Sequence, residues 1–260
     1  MKINWQDTYA AIWRPYKKHL HPVQVIDPVT LDSLIGIERQ KKQLIENTNR
    51  FIQQQPANNA LLWGACGTGK SSLIKAILNH SHPQGLRLIE IYKDDLTIMP
   101  EIVDEIRNLT YRFIIFLDDF SFEENDNSYV PLKSVLEGSI EQPPENVLIY
   151  ATSNRRHLLP EYLQDNLDSR LVDGELHYAD AIEERISLSD RFGLWISFHQ
   201  TNLQHYLQII DSYFPHYGGN REQLHEAARL FSISRAARSG RTAKQFYNQY
   251  LDNDEELSGN

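Results

Sequence analysis

The chain has 260 residues, 41% hydrophobic and 23% charged, which is enough apolar material to fill the core of a domain of ordinary size. Its formal net charge of -9 argues against a broadly basic surface that coats nucleic acid, although a local basic patch is compatible with it. The single cysteine, Cys66, excludes an intrachain disulfide, and no apolar run approaches the roughly 18 residues of a membrane span. We therefore expect a cytoplasmic protein with neither signal peptide nor membrane segment.

The first twenty residues carry aromatic and aliphatic side chains at three- and four-residue steps. These are Trp5, Tyr9, Ile12, Trp13 and Tyr16. The spacing predicts a helix over residues 3–20 with one aromatic face, which either docks on the protein's own core or forms a surface for a neighbouring subunit or partner. Proline follows both His21 and Asp27 and disfavours helical geometry there. We interpret residues 1–28 as an N-terminal aromatic helix and linker.

From Leu31 onward, apolar runs alternate with helical patterns, which predicts a parallel sheet covered by helices. The candidate strands are Ala60–Trp63, Leu86–Tyr92, Phe113–Leu117, Val147–Ala151 and Leu194–Phe198. The candidate helices between them are 37–54, 70–80, 100–108, 128–138 and 158–168. We expect an α/β domain over residues 29–200.

The character of the chain changes after residue 200. Amphipathic patterns over 202–214, 221–234 and 241–251 predict three helices, separated by Gly218-Gly219 and Ser239-Gly240. We expect a small all-helical domain over residues 201–252, followed by a frayed acidic tail at 253–260.

A phosphate-binding motif follows the first strand of this α/β region. The residues from Gly64 to Ser71 match the pattern G-x-x-x-x-G-K-[ST] in full, between an apolar strand and a helix start. Glycines let the backbone bring its N–H groups against phosphates, Lys70 is expected to bridge the outer phosphates, and the Ser71 hydroxyl to reach magnesium. We therefore expect ATP with Mg²⁺ to bind at Gly64, Ala65, Cys66, Gly67, Thr68, Gly69, Lys70, Ser71 and Ser72.

Two carboxylates end the third candidate strand. We expect Asp118 to hold the metal through water and Asp119 to orient or deprotonate the attacking water. Many ATPases carry glutamate at the second position, and aspartate is shorter by one methylene. Glu123 and Glu124 are therefore alternative bases.

The order of these motifs resembles the AAA+ superfamily of ring-forming P-loop ATPases. The segment Leu34–Ile37 is similar to the stretch that contacts adenine, which implies roles for Ile35 and Gly36. The segment Asn146–Asn154 is similar to the sensor-1 strand, whose last polar residue lies beside the γ-phosphate. We choose Asn154 for that role, with Thr152 second. The resemblance implies a P-loop core with a five-stranded parallel sheet and a helical lid.

Two arginines extend the resemblance. The segment Leu188–Gly193 is similar to the end of the helix that presents an arginine finger to the neighbouring subunit, which implies that role for Arg191. Arginine suits it because a planar guanidinium neutralises charge on γ-phosphate oxygens. The segment Arg238–Phe246 is similar to the sensor-2 region, with Arg241 the better candidate and Arg238 the second. These parallels imply a homo-oligomer, a ring or open ring with a hexamer as one candidate, that hydrolyses ATP at subunit interfaces.

The residues of several segments resemble those of one bacterial AAA+ family, domain of unknown function 815. The segments are Gly64–Ser72, Lys93–Leu96, Asp118-Asp119, Ser121–Glu123, Tyr150–Pro160 and Ser189–Gly193. The family name implies no substrate. The pair Arg155-Arg156 after sensor 1 suits ion pairs between or within subunits better than nucleic acid. The stretch 174–185 reads as an exposed insertion without metal-ligand spacing.

The function classes compatible with these motifs differ in what ATP drives. Threading ATPases carry an aromatic-apolar-glycine tripeptide after the second strand, and Tyr92–Leu96 lacks it. A loader or remodeller of an unidentified protein partner is therefore favoured. The alternatives are a nucleotide-gated switch with little hydrolysis, a P-loop small-molecule kinase, and direct DNA binding through Arg155 and Arg156, which the acidic balance disfavours.

Overall fold

The structure is a computed structural model that describes residues 3–121, 130–137, 142–155, 158 and 189–257. Its strands are β1 (Ala10–Arg14), β2 (His19–Pro22), β3 (Ala60–Gly64), β4 (Leu86–Glu90), β5 (Arg112–Leu117), β6 (Val147–Ser153) and β7 (Leu194–Phe198). Its α-helices are α1 (Glu38–Ile52), α2 (Lys70–Ser81), α3 (Met99–Ile106), α4 (Val130–Glu137), α5 (Leu203–Tyr213), α6 (Arg221–Ser234) and α7 (Gly240–Leu257).

The described strands form a seven-stranded sheet in the order β2-β1-β4-β5-β6-β3-β7. Strands β1 and β3 to β7 run parallel, whereas β2 is antiparallel to β1. The parallel strands therefore end along one side of the sheet, which we call the carboxyl edge. The α/β class and all five predicted strands are confirmed, except that the strand predicted over Leu86–Tyr92 ends at Glu90.

Apolar side chains cover both faces of the sheet. On one face α1 and α2 pack through Leu44, Phe51, Leu73 and Ile77, all of which are buried. On the other face α3 packs through residues such as Ile102. Each fully buried Leu, Ile or Phe side chain contributes about 1.5–3 kcal/mol, so both helix layers hold the carboxyl edge in place.

The helix predicted over residues 3–20 is wrong. Ala10–Arg14 and His19–Pro22 are strands, joined by a short 3-10 turn. The reason is tertiary: β1 pairs with β4 and closes an edge that would otherwise be open. Trp13 and Leu20 are buried while Tyr16 is fully exposed, so the aromatic residues do not form one face.

A buried arginine fastens the residues that precede β1. Arg87 Nε donates to the carbonyl of Trp5 at 2.7 Å, and its guanidinium lies over the rings of Tyr9 and Tyr111. Trp5 itself packs edge-on against Phe113. The N-terminal segment is thus part of the core. Of the two alternatives, docking on the protein's own core therefore holds for its tryptophans.

Three helices follow β7 and share their own apolar cluster. Its buried members are Tyr206, Ile210, Phe214, Leu224, Ala228, Ala243 and Phe246. The side chains of Asn202 and Asn220 cap α5 and α6 by accepting from the first-turn N–H groups. The three predicted helices are confirmed, and we call residues 203–257 the helical module.

Some expectations fall on residues that the structure does not describe. The helix predicted over 158–168, apart from Leu158, and the stretch 174–185 lie outside the described residues, as do Glu123, Glu124, Arg156 and His157. Within the described ranges, none of the helices combines the length and apolar character that crossing a membrane requires. The division at residues 28, 200 and 252 remains a prediction.

Candidate functional site

The glycine-rich loop connects β3 to α2 at the carboxyl edge. At Gly64 the backbone has φ +132°, and a Cβ there would lie 1.9 Å from the carbonyl oxygen of Phe198 on β7. Only glycine meets both conditions. Ala65 N–H donates to that same carbonyl at 3.2 Å, and Thr68 Oγ1 donates to Ala65 O at 2.8 Å. The loop is therefore anchored on β7.

Lys70 is the first residue of α2 and is only 7% exposed. Its Nζ donates to the carbonyls of Gly64 and Ala65 at 2.7 and 2.8 Å and to Asn154 Oδ1 at 3.0 Å. Burial is the main cause that lowers the pKa of Lys70 from its ordinary value. Among the described residues it makes no salt bridge, so the charge is buried without an anionic partner in contact.

The end of β5 carries the predicted carboxylates. Asp118 Oδ1 accepts hydrogen bonds from Ser71 Oγ and Thr152 Oγ1, both at 2.6 Å. Thr152, the second sensor-1 candidate, thus orients the Asp118 carboxylate. Hydroxyl and carboxylate oxygens are the ligands that Mg²⁺ prefers, so the donor set of Ser71 and Asp118 fits that ion.

Asp119 has an exposed side chain and a left-handed backbone, with φ +50°. Its N–H donates to Thr152 Oγ1 at 2.9 Å, and its Oδ1 accepts from Asn154 Nδ2 at 2.6 Å. Asn154 therefore contacts Lys70 through its oxygen and Asp119 through its nitrogen. The structure brings together these residues, which the sequence predicted from three separate segments.

One carboxylate near this network was not predicted from the sequence. Glu90 ends β4, and its pKa is raised, first by burial and second by the charge of Asp118. Lys75 and Arg14 lower it in part. A polar residue at the end of a buried strand was the available signal, but the strand was predicted to continue to Tyr92.

The predicted adenine segment contacts the helical module. Gly36 has φ +75°, and a Cβ there would lie 1.7 Å from His205 Nε2. The same ring nitrogen lies 2.8 Å from the carbonyl oxygen of Ile35. His205 was not predicted, because a histidine on an amphipathic helix carries no local sign of a contact with a distant loop.

The start of α7 lies against the phosphate loop. Gly240 N–H donates to the carbonyl of Gly67 at 3.2 Å, and a Cβ on Gly67 would lie 2.8 Å from Ser239 Oγ. Arg241 NH1 donates to Cys66 Sγ at 3.7 Å. Arg241, predicted from the sensor-2 resemblance, thus lies at the loop. Ser72 lies half-buried in the first turn of α2.

Arg191 lies away from this cluster in its own chain. It precedes β7, which runs parallel to β3 with Ala60 opposite Leu194. Arg191 is therefore at the amino ends of the strands, about 16 Å of strand length from the carboxyl edge. Arg155, immediately after Asn154, is half-buried, and its N–H donates to Ser153 Oγ at 3.1 Å.

Comparison with known proteins extends these observations. A family model described as a protein of unknown function (DUF815) matches residues 6–254. An AAA-ATPase of Arabidopsis thaliana is 31% identical in an alignment of 142 positions that covers 49% of this chain and 29% of that protein. The chain thus spans under a third of that relative's length. These matches confirm the predicted resemblance to AAA+ P-loop ATPases and to DUF815.

Solved structures with a similar fold include the Thermotoga maritima RuvB Holliday junction branch migration motor. It is 13% identical, with a TM-score of 0.46, over 85% of this chain and 72% of that chain. A mutant of the same protein gives 13% identity and a TM-score of 0.49 over the same shares. At this similarity no property of RuvB transfers to this chain.

Proposed function

Because the chain belongs to the DUF815 family of proteins of unknown function, we propose that its site carries out the AAA+ reaction. In this proposal the protein binds ATP with Mg²⁺ and hydrolyses it at interfaces between its own subunits. The resulting conformational change acts on a macromolecular partner, as in a loader or remodeller. The similarity to a curated AAA-ATPase supports ATPase chemistry at the level of the family.

The observation that carries the proposal is Lys70. A buried ammonium bonded to carbonyl and amide oxygens has no carboxylate in salt-bridge contact among the described residues, and the charges of Asp119 and Asp118 act on it only from a greater distance. Leaving a charge buried and unpaired is costly. Binding of a polyphosphate supplies the missing negative charge, and the N-terminus of α2 adds its dipole.

The proposed roles follow from this placement. Gly64 to Ser72 bind the phosphates, Ser71 and Asp118 hold Mg²⁺, and bound Mg²⁺ supplies charge neutralisation at the phosphates. Asp119 orients the attacking water, while Asn154 fixes the Asp119 carboxylate and keeps it near Lys70. Ile35 and Gly36 contact the base.

Two arginines complete the proposed site from different directions. Arg241 reports phosphate occupancy to the helical module, which acts as the lid, since α7 already contacts the loop. Arg191, at the opposite side of its own sheet, serves the nucleotide of a neighbouring subunit. This role requires a homo-oligomer, with a ring or open ring as the simplest arrangement.

A complementation assay tests this proposal. Asp118→Ala removes the metal carboxylate but keeps Arg191, whereas Arg191→Ala removes the finger but keeps its own site. Each variant alone should release phosphate at least 100-fold more slowly than wild type. An equimolar mixture should regain activity, because mixed interfaces pair an intact site with an intact Arg191.

The control for this assay is Arg39→Ala, which changes an exposed arginine on α1 and should keep wild-type turnover. Sedimentation with ATP should show assembly in all four proteins. A wild-type rate no higher than that of Asp118→Ala would refute hydrolysis. A mixture no faster than its components would refute catalysis in trans.

A switch that binds ATP but hydrolyses it little is the second candidate. The observation in its favour is the Asp119 carboxylate, which already accepts a 2.6 Å hydrogen bond from Asn154 and sits on a side chain shorter than glutamate. In that case wild type and Asp119→Asn would bind ATP equally and turn over equally slowly. Single-turnover measurements with excess protein distinguish the two candidates.

A further inference from the structure

The hairpin formed by β1 and β2 has a tip, Pro15–Lys18, whose side chains are all exposed and lie outside the core. Tyr16 is fully exposed, at 102% of its reference area, so its ring adds no burial to folding. Lys18 ends the 3-10 turn in a left-handed conformation, with φ +47° and its N–H bonded to the carbonyl of Pro15 at 3.2 Å. The turn therefore presents an exposed aromatic ring followed by two exposed lysines, Lys17 and Lys18, to other molecules.

The charge of the hairpin is opposite to that of the whole chain. Between Thr8 and Ile26 the sequence has no Asp or Glu, while Arg14, Lys17, Lys18, His19 and His21 all lie in it; the chain carries -9 overall. Neither Lys17 nor Lys18 makes a salt bridge within the part of the chain that the structure describes. Arg14 lies close enough to Glu90 to lower the pKa of Glu90. The two lysines therefore make no ion pair, although Lys18 borders a groove that Asp95 and Glu101 also line.

The tip projects from the carboxyl edge of the sheet, the edge at which the nucleotide-binding loop also lies. Strand β1 is parallel to β4, with Ala10 opposite Leu88, so the chain leaves β1 at the carboxyl edge. Buried Trp13 and Leu20 fix both strands of the hairpin to the core. Tyr92, 44% exposed, follows the neighbouring strand β4 at this edge. A bound molecule would meet a projection held by both strands, at an edge of the sheet where Tyr92 is also exposed.

We propose that the tip Pro15–Lys18 binds single-stranded nucleic acid, with a base stacked on Tyr16 and phosphates held by Lys17 and Lys18. Exposed aromatic rings beside free cations are the combination that binds unpaired strands with little sequence preference. A base in a duplex already stacks on both sides, so the ring has no free base to contact there. This inference goes beyond the proposed ATPase function and does not depend on it.

The overall negative charge limits the strength of this binding. The acidic body repels phosphates, and only the tip attracts them, so we expect weak and salt-sensitive affinity confined to a few nucleotides. Two lysines that neutralise two phosphates contribute a slope of about -1.4 to the plot of log affinity against log salt. Because the basic patch consists of only two lysines, the net charge of the whole chain gives no sign of it.

Fluorescence anisotropy of labelled dT20 and rU20 with the full chain, between 50 and 200 mM NaCl, tests the proposal. Tyr16→Ala should weaken binding roughly 10-fold or more, and Tyr16→Phe should restore it because phenylalanine stacks equally well. A Lys17→Gln/Lys18→Gln double variant should weaken binding and make the salt slope shallower by about 1.4. Lys42→Gln, at an exposed lysine on α1, is the control and should bind as wild type.

Four outcomes would overturn the proposal. They are no binding of either oligonucleotide at 50 mM NaCl, unchanged affinity of Tyr16→Ala, equal affinity for a 20-base-pair duplex, and equal affinity for poly-glutamate or for vesicles with 30% phosphatidylserine. The last would identify a general anion-binding surface. Phosphate release by Tyr16→Ala without nucleic acid should equal that of wild type. A failure here therefore leaves the ATPase proposal standing, and the reverse also holds.

Discussion

Asn154 donates a hydrogen bond to Asp119 across 2.6 Å, between Nδ2 and Oδ1. Its Oδ1 accepts from Lys70 at 3.0 Å, so one amide sets the distance between the proposed phosphate-binding lysine and the proposed water-orienting carboxylate. We expect Asn154→Ala to lower turnover roughly 100-fold, as the loss of one oriented polar group does at other sites. Binding of ATP should be largely retained, since the glycine-rich loop is unchanged.

Asn154→Asp keeps the size of the side chain but replaces its amide nitrogen by a second oxygen. The new carboxylate would still accept from Lys70 but would repel Asp119, so turnover should fall as far as in Asn154→Ala. Asn248→Ala, at an exposed asparagine on α7, is the control. Phosphate release and titration with a fluorescent ATP analogue measure the two properties, and normal turnover in Asn154→Ala would contradict the assignment.

The contact between loop and β7 predicts a second substitution effect. A Cβ at Gly64 would lie 1.9 Å from Phe198 O in a backbone with φ +132°. We expect Gly64→Ala to lower the free energy of unfolding by about 3 kcal/mol or more, because backbone must move on two strands. Gly85→Ala is the matched control, since φ there is +95° but its Cβ would meet no described atom within 4 Å.

The control should lose only about 1–2 kcal/mol, the cost of a left-handed conformation alone. Urea unfolding measures both variants. Equal losses in Gly64→Ala and Gly85→Ala would show that the close approach to Phe198 adds nothing, and would contradict the anchoring of the loop on β7.

Local sequence was sufficient for the parts of the site that one segment builds. The strand, loop and helix start around Gly64 and Lys70 are contiguous, so their apolar and glycine pattern predicts their geometry. The carboxyl-edge positions of Asp118 and Asn154 also follow, because parallel strands end on the same side. The order of motifs along the chain was enough to place these residues together.

Features that depend on distant partners were not predictable. The segment Ala10–Arg14 has aromatic residues at helical spacing, yet it is a strand because β4 offers an open edge to it. His205 has no local signal at all, since its contact with Ile35 and Gly36 exists only when the helical module folds onto the core. Tertiary pairing overrides local periodicity in the first case and creates the contact in the second.

The His205 contact leads to a prediction about nucleotide affinity. The ring fills the space over Gly36 and lies 2.8 Å from Ile35 O through Nε2. We expect His205→Ala to weaken ADP binding roughly tenfold, the effect of about 1.4 kcal/mol, because the proposed adenine segment loses its support. His216→Ala, at an exposed histidine of the same module, should leave affinity unchanged. Calorimetric titration that gives equal affinities for the two variants would contradict this role.

Two buried tyrosines differ in their hydrogen bonding. The Tyr150 hydroxyl accepts from Asn47 Nδ2 at 3.0 Å and lies 2.9 Å from Thr48 Oγ1, which itself donates to Leu44 O. Tyr150 is therefore the donor to Thr48. The Tyr206 hydroxyl, also buried, has no hydrogen-bond partner in the described part of the chain.

Replacement by phenylalanine should therefore act in opposite directions. Tyr150→Phe leaves an Asn47 N–H without its acceptor and should cost about 1–3 kcal/mol at neutral pH. Tyr206→Phe removes an unsatisfied hydroxyl and should leave stability equal or slightly higher. Urea unfolding of both variants decides, and a larger loss in Tyr206→Phe would contradict the hydrogen-bond pattern.

The pH dependence of stability gives an independent test of Tyr150. Burial raises its pKa from 10.0 to about 12. Above pH 10 the unfolded chain releases this proton while the folded chain retains it, so the stabilisation is complete below pH 10 and is lost as pH rises toward 12. Between pH 9.5 and 11.5 the wild type should lose roughly 1.5–2 kcal/mol more than Tyr150→Phe. Tyr16→Phe, which changes a fully exposed phenol, should lose as much as wild type. Parallel pH profiles for wild type and Tyr150→Phe would show that the Tyr150 phenol is not held in its neutral form by burial.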